Sequence, residues 1–432
     1  MLPLDTALND LLNQLSSTLP DAPGLRVFES SFALNDSFDA LTWLSSQSAY
    51  PQFYWQQRSG SEEAAVLGKA VAFTSLEDAQ KFIRQYPDED LRVWGLNEFD
   101  PSRSSLILPR LEWRRNGEDA ALRLTLFSEN SLRSDREFAK AYIAALKCAK
   151  PLPPLQSKMI REEHRPDKEE WCRLIKLATD TISNGKLNKT VLARATDLHF
   201  EKPINPASML NESRKQNLHC YHFYMAFDPD SAFLGSSPER LWRRVGKSLQ
   251  TEALAGTVAN HNDDQEALRL GRWLMSDDKN QRENMLVVKD ICQRLEAECE
   301  KLEVLPEHIL RLRKVQHLRR QIQTSLHKAD DTICLYQLQP TAAVAGLPRN
   351  AARGFIAEYE PFTREWYAGS AGYLSLKQSE FCVSLRSAKI SGNVVRLYAG
   401  AGIVPGSDPE AEWIEINNKA AGLKTLLQPE HK

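Results

Sequence analysis

Tyr398-Ala-Gly-Ala-Gly-Ile-Val-Pro-Gly-Ser-Asp-Pro-Glu-Ala-Glu-Trp-Ile-Glu-Ile-Asn-Asn-Lys-Ala420 passes from a strand, through small residues, into an acidic helix. Ser407-Asp408-Pro409 announces that helix, because Asp caps the free N–H groups and Pro suits the first turn. The Ala-Gly alternation lets backbone N–H groups approach an anion closely. Glu412 and Glu415, three apart, share one helix face, with Lys419 a turn further on. That face can hold a cation between carboxylates. It can equally be a solvated face carrying an i,i+4 pair from Glu415 to Lys419, and spacing alone leaves both readings open.

Upstream, strand patterns over Glu380 to Ala388 and Val394 to Tyr398 alternate with Gly-rich turns. Residues 264 to 300 read as one long helix, without Pro or any Gly after 271, whose apolar face holds Leu274, Leu286, Val287, Ile291 and Leu295. Glu283 sits on its charged side. Residues 169 to 184 have helical spacing, and Thr190 to Arg194 form a strand that Lys189 enters. The four prolines between 149 and 168 predict a linker about one third along the chain. Before it come an amphipathic N-terminal helix, a strand at Gln52–Gln56 and a hairpin turning at Gly117; Glu239 precedes a similar hairpin turning at Gly246. The class is therefore α+β, with an N-terminal α+β portion over 1–150 and a larger C-terminal region over 165–428.

Composition removes several functions. At 432 residues the chain predicts two domains or one large two-lobed core. A net charge of −2, from 55 basic and 57 acidic side chains, gives no broad reason to bind nucleic acid or an anionic membrane. No apolar run reaches the roughly 20 residues of a membrane span, and the start lacks a signal peptide's blocks, so a cytoplasmic protein is expected. Seven scattered cysteines without a CxxC pair argue against disulfides or a thiolate zinc site. Nucleotide loops, HExxH and GxSxG are absent from the sequence. Glu239, in Ser-Ser-Pro-Glu-Arg, is either a catalytic carboxyl or the partner of a nearby cation such as Arg240. Lys189 is either a base or an ordinary lysine.

Seven segments in order narrow these choices: Lys189-Thr-Val-Leu-Ala-Arg, Phe233-Leu-Gly-Ser-Ser-Pro-Glu-Arg-Leu, Glu252-Ala-Leu-Ala-Gly-Thr257, Pro340-Thr-Ala-Ala-Val-Ala-Gly346, Tyr367-Ala-Gly-Ser-Ala-Gly-Tyr373, Ser384-Leu-Arg386 and the closing Ala-Gly-Ala-Gly to Asn-Lys-Ala. Together they resemble the chorismate-utilising enzymes: isochorismate and salicylate synthases and the large subunits of anthranilate and aminodeoxychorismate synthases. The N-terminal portion, with Pro51-Gln-Phe-Tyr-Trp-Gln-Gln, looks like the menaquinone-specific isochorismate synthases.

The resemblance implies two packed antiparallel sheets flanked by helices, with the active site in the cleft between them. It implies Mg²⁺ held by Glu283 and Glu415, with Glu412 beside them as an outer or water-mediated ligand. Tyr367, Arg386 and Lys419 would fix the carboxylates of chorismate, helped by backbone groups at Gly256, Thr257, Gly400 and Gly402. Lys189 would be the base for an attacking water, and Glu239 the acid protonating the departing hydroxyl. Such a lysine must fall from its ordinary value of about 10.4, and such a glutamate must rise. Ammonia-using relatives carry Gln in place of Lys189, and aminodeoxychorismate synthases a lysine in place of Ala255. The implied reaction is therefore water addition at C2 with loss of the C4 hydroxyl, reversibly giving isochorismate for menaquinone synthesis, without an obligatory glutaminase subunit. A salicylate synthase and a non-catalytic binding subunit are the rivals. Two departures stand out: Gln339 where many relatives have His, and Asn280 where many have Glu.

Overall fold

Period-two alternation builds the centre of the molecule. Phe53 and Trp55 enter one core while Tyr54, between them, enters another, as successive strand side chains must. The computed structural model describes residues 3–33, 38–87 and 91–427. Met1 and Leu2 of the opening pattern, and Gln428 at the end of the expected catalytic region, lie outside the described residues.

The strand Ser104–Asn116 is a fork. One edge pairs with Glu62–Phe73; the other pairs with Val93–Asn97 at residues 104–107 and with Asp119–Ser128 at 111–116. From there one sheet runs through Gln52–Gln56, Tyr221–Asp228, Ser231–Ser237, Ser387–Ser391 and Val394–Ile403 to Lys189–Phe200. The other runs through Ser370–Leu374, Gln378–Val383, Arg240–Val245 and Ser248–Ala259 to Val315–Leu326. All these pairings are antiparallel. Phe53 of the first sheet meets Trp94 of the second at 5.9 Å between ring centroids, and Trp94 meets Tyr373 at 4.7 Å.

Helices close the outer faces. Pro3–Gln14, Ala40–Ser45 and Pro206–Gln216 cover Tyr54, Tyr224 and Leu234. Lys168–Ser183, Arg349–Tyr359 and Pro409–Lys424 cover Leu192, Ala399 and Ala401. Residues of the first third pair directly with later strands, Gln52–Gln56 with Tyr221–Asp228 and Val93–Asn97 with Ser370–Leu374. No helix among the described residues is long and apolar enough to cross a membrane.

Three sequence expectations change. The proline-rich stretch is irregular only to residue 158, since Met159–Arg165 forms an edge strand beside Lys189–Phe200. The long helix over 264–300 is two helices, Asp264–Ser276 and Asp278–Leu295, and beyond them Cys299–Val304 is a strand. Asp277 makes the break by leaving helical geometry and accepting the Asn280 N–H as a new cap. The strand over 380–388 is interrupted between Val383 and Ser387, where Arg386 takes a positive φ of 48°.

Candidate active site

Strand pairing assembles the cleft. Lys189 begins a strand whose neighbours Val191 and Ala193 lie opposite Gly402 and Gly400. A Cβ on Gly402 would collide with a carboxylate oxygen of Glu283, and one on Gly400 would lie 2.8 Å from the Tyr367 hydroxyl. Gly402→Ala should therefore dislodge Glu283 from its bond with Lys189 and lower the melting temperature, which scanning calorimetry would measure. Across the cleft, the ladder between Ser248–Ala259 and Val315–Leu326 shifts register between Leu254 and Thr257, where Gly256 has φ +89°. This bulge turns Thr257 toward the opening. The interruption at Arg386 likewise aims its guanidinium inward.

The cleft has a cavity volume of about 70 Å³ and is lined by Glu239, Gly256, Thr257, Glu283, Tyr367, Arg386, Gly400, Gly402 and Lys419 among others. Lys189 is fully buried and reaches it through Glu283, to which its ammonium donates at 2.9 Å. Glu412 and Glu415 stand behind this wall on the helix Pro409–Lys424. Tyr367 stacks on Tyr398, centroids 5.0 Å apart, and burial pushes its hydroxyl up to about 12. Arg386 has no carboxylate within 4 Å among the described residues, so it is left to meet an anion entering the cleft.

Glu239 has the electrostatics of an acid. Burial, and then the nearby Glu252 carboxylate, hold its carboxyl well above the usual range, which favours the protonated form an acid needs. Its Oε1 is buried without a hydrogen-bond partner, and the residue lines the cleft. Glu252 has the opposite fate. Burial works against its charge, but Arg58 grips both oxygens at 2.7 and 2.9 Å, the Arg240 N–H adds a bond at 2.9 Å, and its pKa falls below the ordinary value. Arg58 also donates to the carbonyl of Pro238, next to Glu239. The guanidinium therefore fixes the charge on Glu252, and that charge, with burial, raises Glu239 against the guanidinium's own weaker pull. Arg58→Gln should cost about 3–5 kcal/mol of stability at neutral pH by stranding a buried carboxylate. The deficit should shrink as pH falls and Glu252 takes a proton, as denaturant titrations at pH 7 and pH 5 would show.

The acidic side suits a hard divalent ion in donor type. Burial, with the Glu415 carboxylate next and Glu283 contributing, pushes Glu412 up to about 7, a concentration of negative charge that a cation would relieve. Among the described residues no three His, Cys, Asp or Glu side chains already converge as ligands. Each carboxylate instead holds a lysine: Glu283 with Lys189, Glu415 with Lys419 at 2.6 Å, and Glu412 with Lys279 at 3.4 Å. The i,i+4 pair from Glu415 to Lys419 therefore exists, and its lysine lines the cleft.

The chorismate binding enzyme family matches residues 96–428. The chain belongs to that family. It is 69% identical over 428 residues to the isochorismate synthase MenF of Escherichia coli, covering 99% of each chain. It is 40% identical over 401 residues to the isochorismate synthase MenF of Haemophilus influenzae, covering 91% of this chain and 90% of the other. The solved structure of the menaquinone-specific isochorismate synthase MenF from Escherichia coli matches with a TM-score of 0.96 over 99% of this chain and 100% of that one, at 69% identity. Anthranilate synthase component I from Streptococcus pneumoniae shares the fold, with a TM-score of 0.66 at 20% identity over 95% of this chain and 94% of that one.

Within this chorismate-binding enzyme the two departures are accommodated locally. Gln339 is buried and donates to the carbonyl of Glu98 at 2.6 Å, so it anchors a loop. Asn280 accepts the Thr257 N–H at 3.1 Å, which holds the bulge in place. Sequence reasoning missed Arg58, Glu252 as a charged partner, and His317. His317 is buried between Thr257, 3.0 Å from Nδ1, and Arg386, 2.8 Å from Nε2. Burial and then Arg386 pull it well below its ordinary value, so neutral imidazole accepts from the guanidinium. Pairing Val315–Leu326 with the Glu252 to Thr257 segment would have revealed it.

Proposed function

We propose that the chain is an isochorismate synthase, converting chorismate to isochorismate reversibly and with Mg²⁺ at the entrance to menaquinone synthesis, in the cytoplasm and without a glutaminase subunit. The observation that carries this reading is Glu239: a buried carboxyl held well above the usual range, in the same cleft as Arg386, which has no carboxylate within 4 Å among the described residues. Arg386, Lys419 and Tyr367 bind and orient the substrate carboxylates. Lys189 takes a proton from the water that adds at C2. Glu239 gives its proton to the C4 hydroxyl, which departs as water; the product is an isomer of the substrate. Glu283 and Glu415, with Glu412 beside them, are the residues that would hold Mg²⁺, which supplies charge compensation for the substrate carboxylate. Lys189 and Ala255, which lines the cleft, favour water over ammonia as nucleophile.

Incubation of the purified protein with chorismate, with and without Mg²⁺ and with added ammonium, tests this by chromatography and mass. A Mg²⁺-dependent product of unchanged mass is expected. Salicylate with pyruvate would place the chain in the lyase branch, and an aminated product would overturn the role given to Lys189.

A further inference from the structure

Among the described residues, the arginines Arg110, Arg123, Arg244, Arg320 and Arg364 are buried, and each holds a carboxylate within 4 Å: Asp135, Glu29, Asp331, Glu307 and Glu360 respectively. Arg194, 2% exposed, is buried as deeply and holds none. Its Nε donates to Thr196 Oγ1 at 3.1 Å and its Nη1 to Asn417 Oδ1 at 2.8 Å, both neutral acceptors, while Nη2 has no acceptor among the described residues. The guanidinium lies 4.4 Å from the Trp413 ring, which offsets part of the desolvation without neutralising the charge. Burial accordingly pulls Arg194 down to about 10.

Arg194 also lines a second cleft, of about 500 Å³, between the strand Lys189–Phe200 and the helix Pro409–Lys424. Alternation places it on the strand face opposite Val191 and Ala193, away from the catalytic cleft. Leu397, Ala420, Ala421 and Trp413 give this cleft an apolar wall, and Asn418 and Thr425 add polar groups. The acid in it, Glu162, is already taken, both its oxygens lying 2.7 Å from the Lys424 ammonium and one 3.4 Å from His164. In the catalytic cleft the arginine without a carboxylate partner faces the space reserved for an anion. Arg194 repeats that arrangement where the catalytic machinery makes no use of it.

We propose that this second cleft binds a small organic anion, its carboxylate on Arg194 and its apolar body against Leu397, Ala420 and Ala421. Its walls are the elements that carry Lys189 on one side and Glu412, Glu415 and Lys419 on the other, yet it opens on their outer surface.

Sodium benzoate is a suitable probe, and the full-length Arg386→Gln protein a suitable background, because the catalytic carboxylate site is then disabled. Calorimetric titration should give saturable 1:1 binding, with a rise in melting temperature. Adding Arg194→Gln should weaken binding by about tenfold or more. Should that protein fail to fold, Ala421→Phe fills the cleft without removing the cation and should have the same effect. Saturable binding unaffected by either variant would overturn the proposal, as would no saturable binding at about 10 mM benzoate. Inorganic phosphate binding more tightly than benzoate would overturn the assignment to an organic anion.

Discussion

Glu239→Gln is expected to lower kcat by about 10²- to 10⁴-fold while leaving KM nearly unchanged. The carboxamide has the same shape and the same charge as the protonated carboxyl that burial favours. Substrate binding therefore loses nothing, whereas the departing hydroxyl loses its proton donor. Steady-state kinetics separate the two effects, and a Gln protein of full activity would remove Glu239 from the mechanism. The stability consequence has a definite sign. A carboxyl whose pKa is raised on folding adds stability that is complete below its unfolded pKa and is lost as pH rises through its folded pKa. Glutamine cannot ionise, so the variant should match the parent at about pH 4 and exceed it increasingly as pH rises above the carboxyl's unfolded value, in denaturant titrations. Activity of the parent should fall only as pH passes the raised folded-state value of Glu239.

The contrast between Glu239 and Glu252 shows how far sequence carries such reasoning. Both glutamates sit in recognisable motifs, and chemistry alone requires that one acid in the site be held neutral. Which one is decided by Arg58, 194 residues before Glu252, through a bidentate contact created by the pairing of first-third strands with later ones. No local pattern encodes that contact. The same holds for His317, whose meaning comes from standing opposite Thr257 in a ladder.

Local signals did place what depends on near neighbours. Asp408 and Pro409 start the final helix as expected, and Gly117 and Gly246 turn their hairpins with φ of 64° and 56°. The misread elements are those in which an ordinary residue changes the backbone for a distant reason. Asp277 caps a helix inside an unbroken helical pattern, and Asn280, which it anchors, holds Thr257. Arg386 interrupts a good strand pattern to put its guanidinium beside His317. Function overrides propensity at both places.

Lys189→Ala should abolish turnover to a similar degree, about 10²- to 10⁴-fold in kcat, while Mg²⁺-dependent binding of chorismate survives. The ion-pair geometry adds a second readout. Lys189 is fully buried, and its one carboxylate partner among the described residues, Glu283, is also a residue proposed to hold the metal. Removing the ammonium strands Glu283, and a buried carboxylate that loses its partner costs about 3–5 kcal/mol, discounted here because Glu283 keeps some exposure. A divalent ion restores the compensation in the variant, whereas in the parent it competes with the lysine for the same oxygen. Mg²⁺ should therefore raise the melting temperature of Lys189→Ala by more than it raises that of the parent, and calorimetric titration should show it binding the variant at least as tightly. An inactive variant with an unchanged or smaller Mg²⁺ response would keep Lys189 as the base but separate Glu283 from the metal. A variant of undiminished kcat would leave the lysine a structural ion pair and return the choice of base to the cleft.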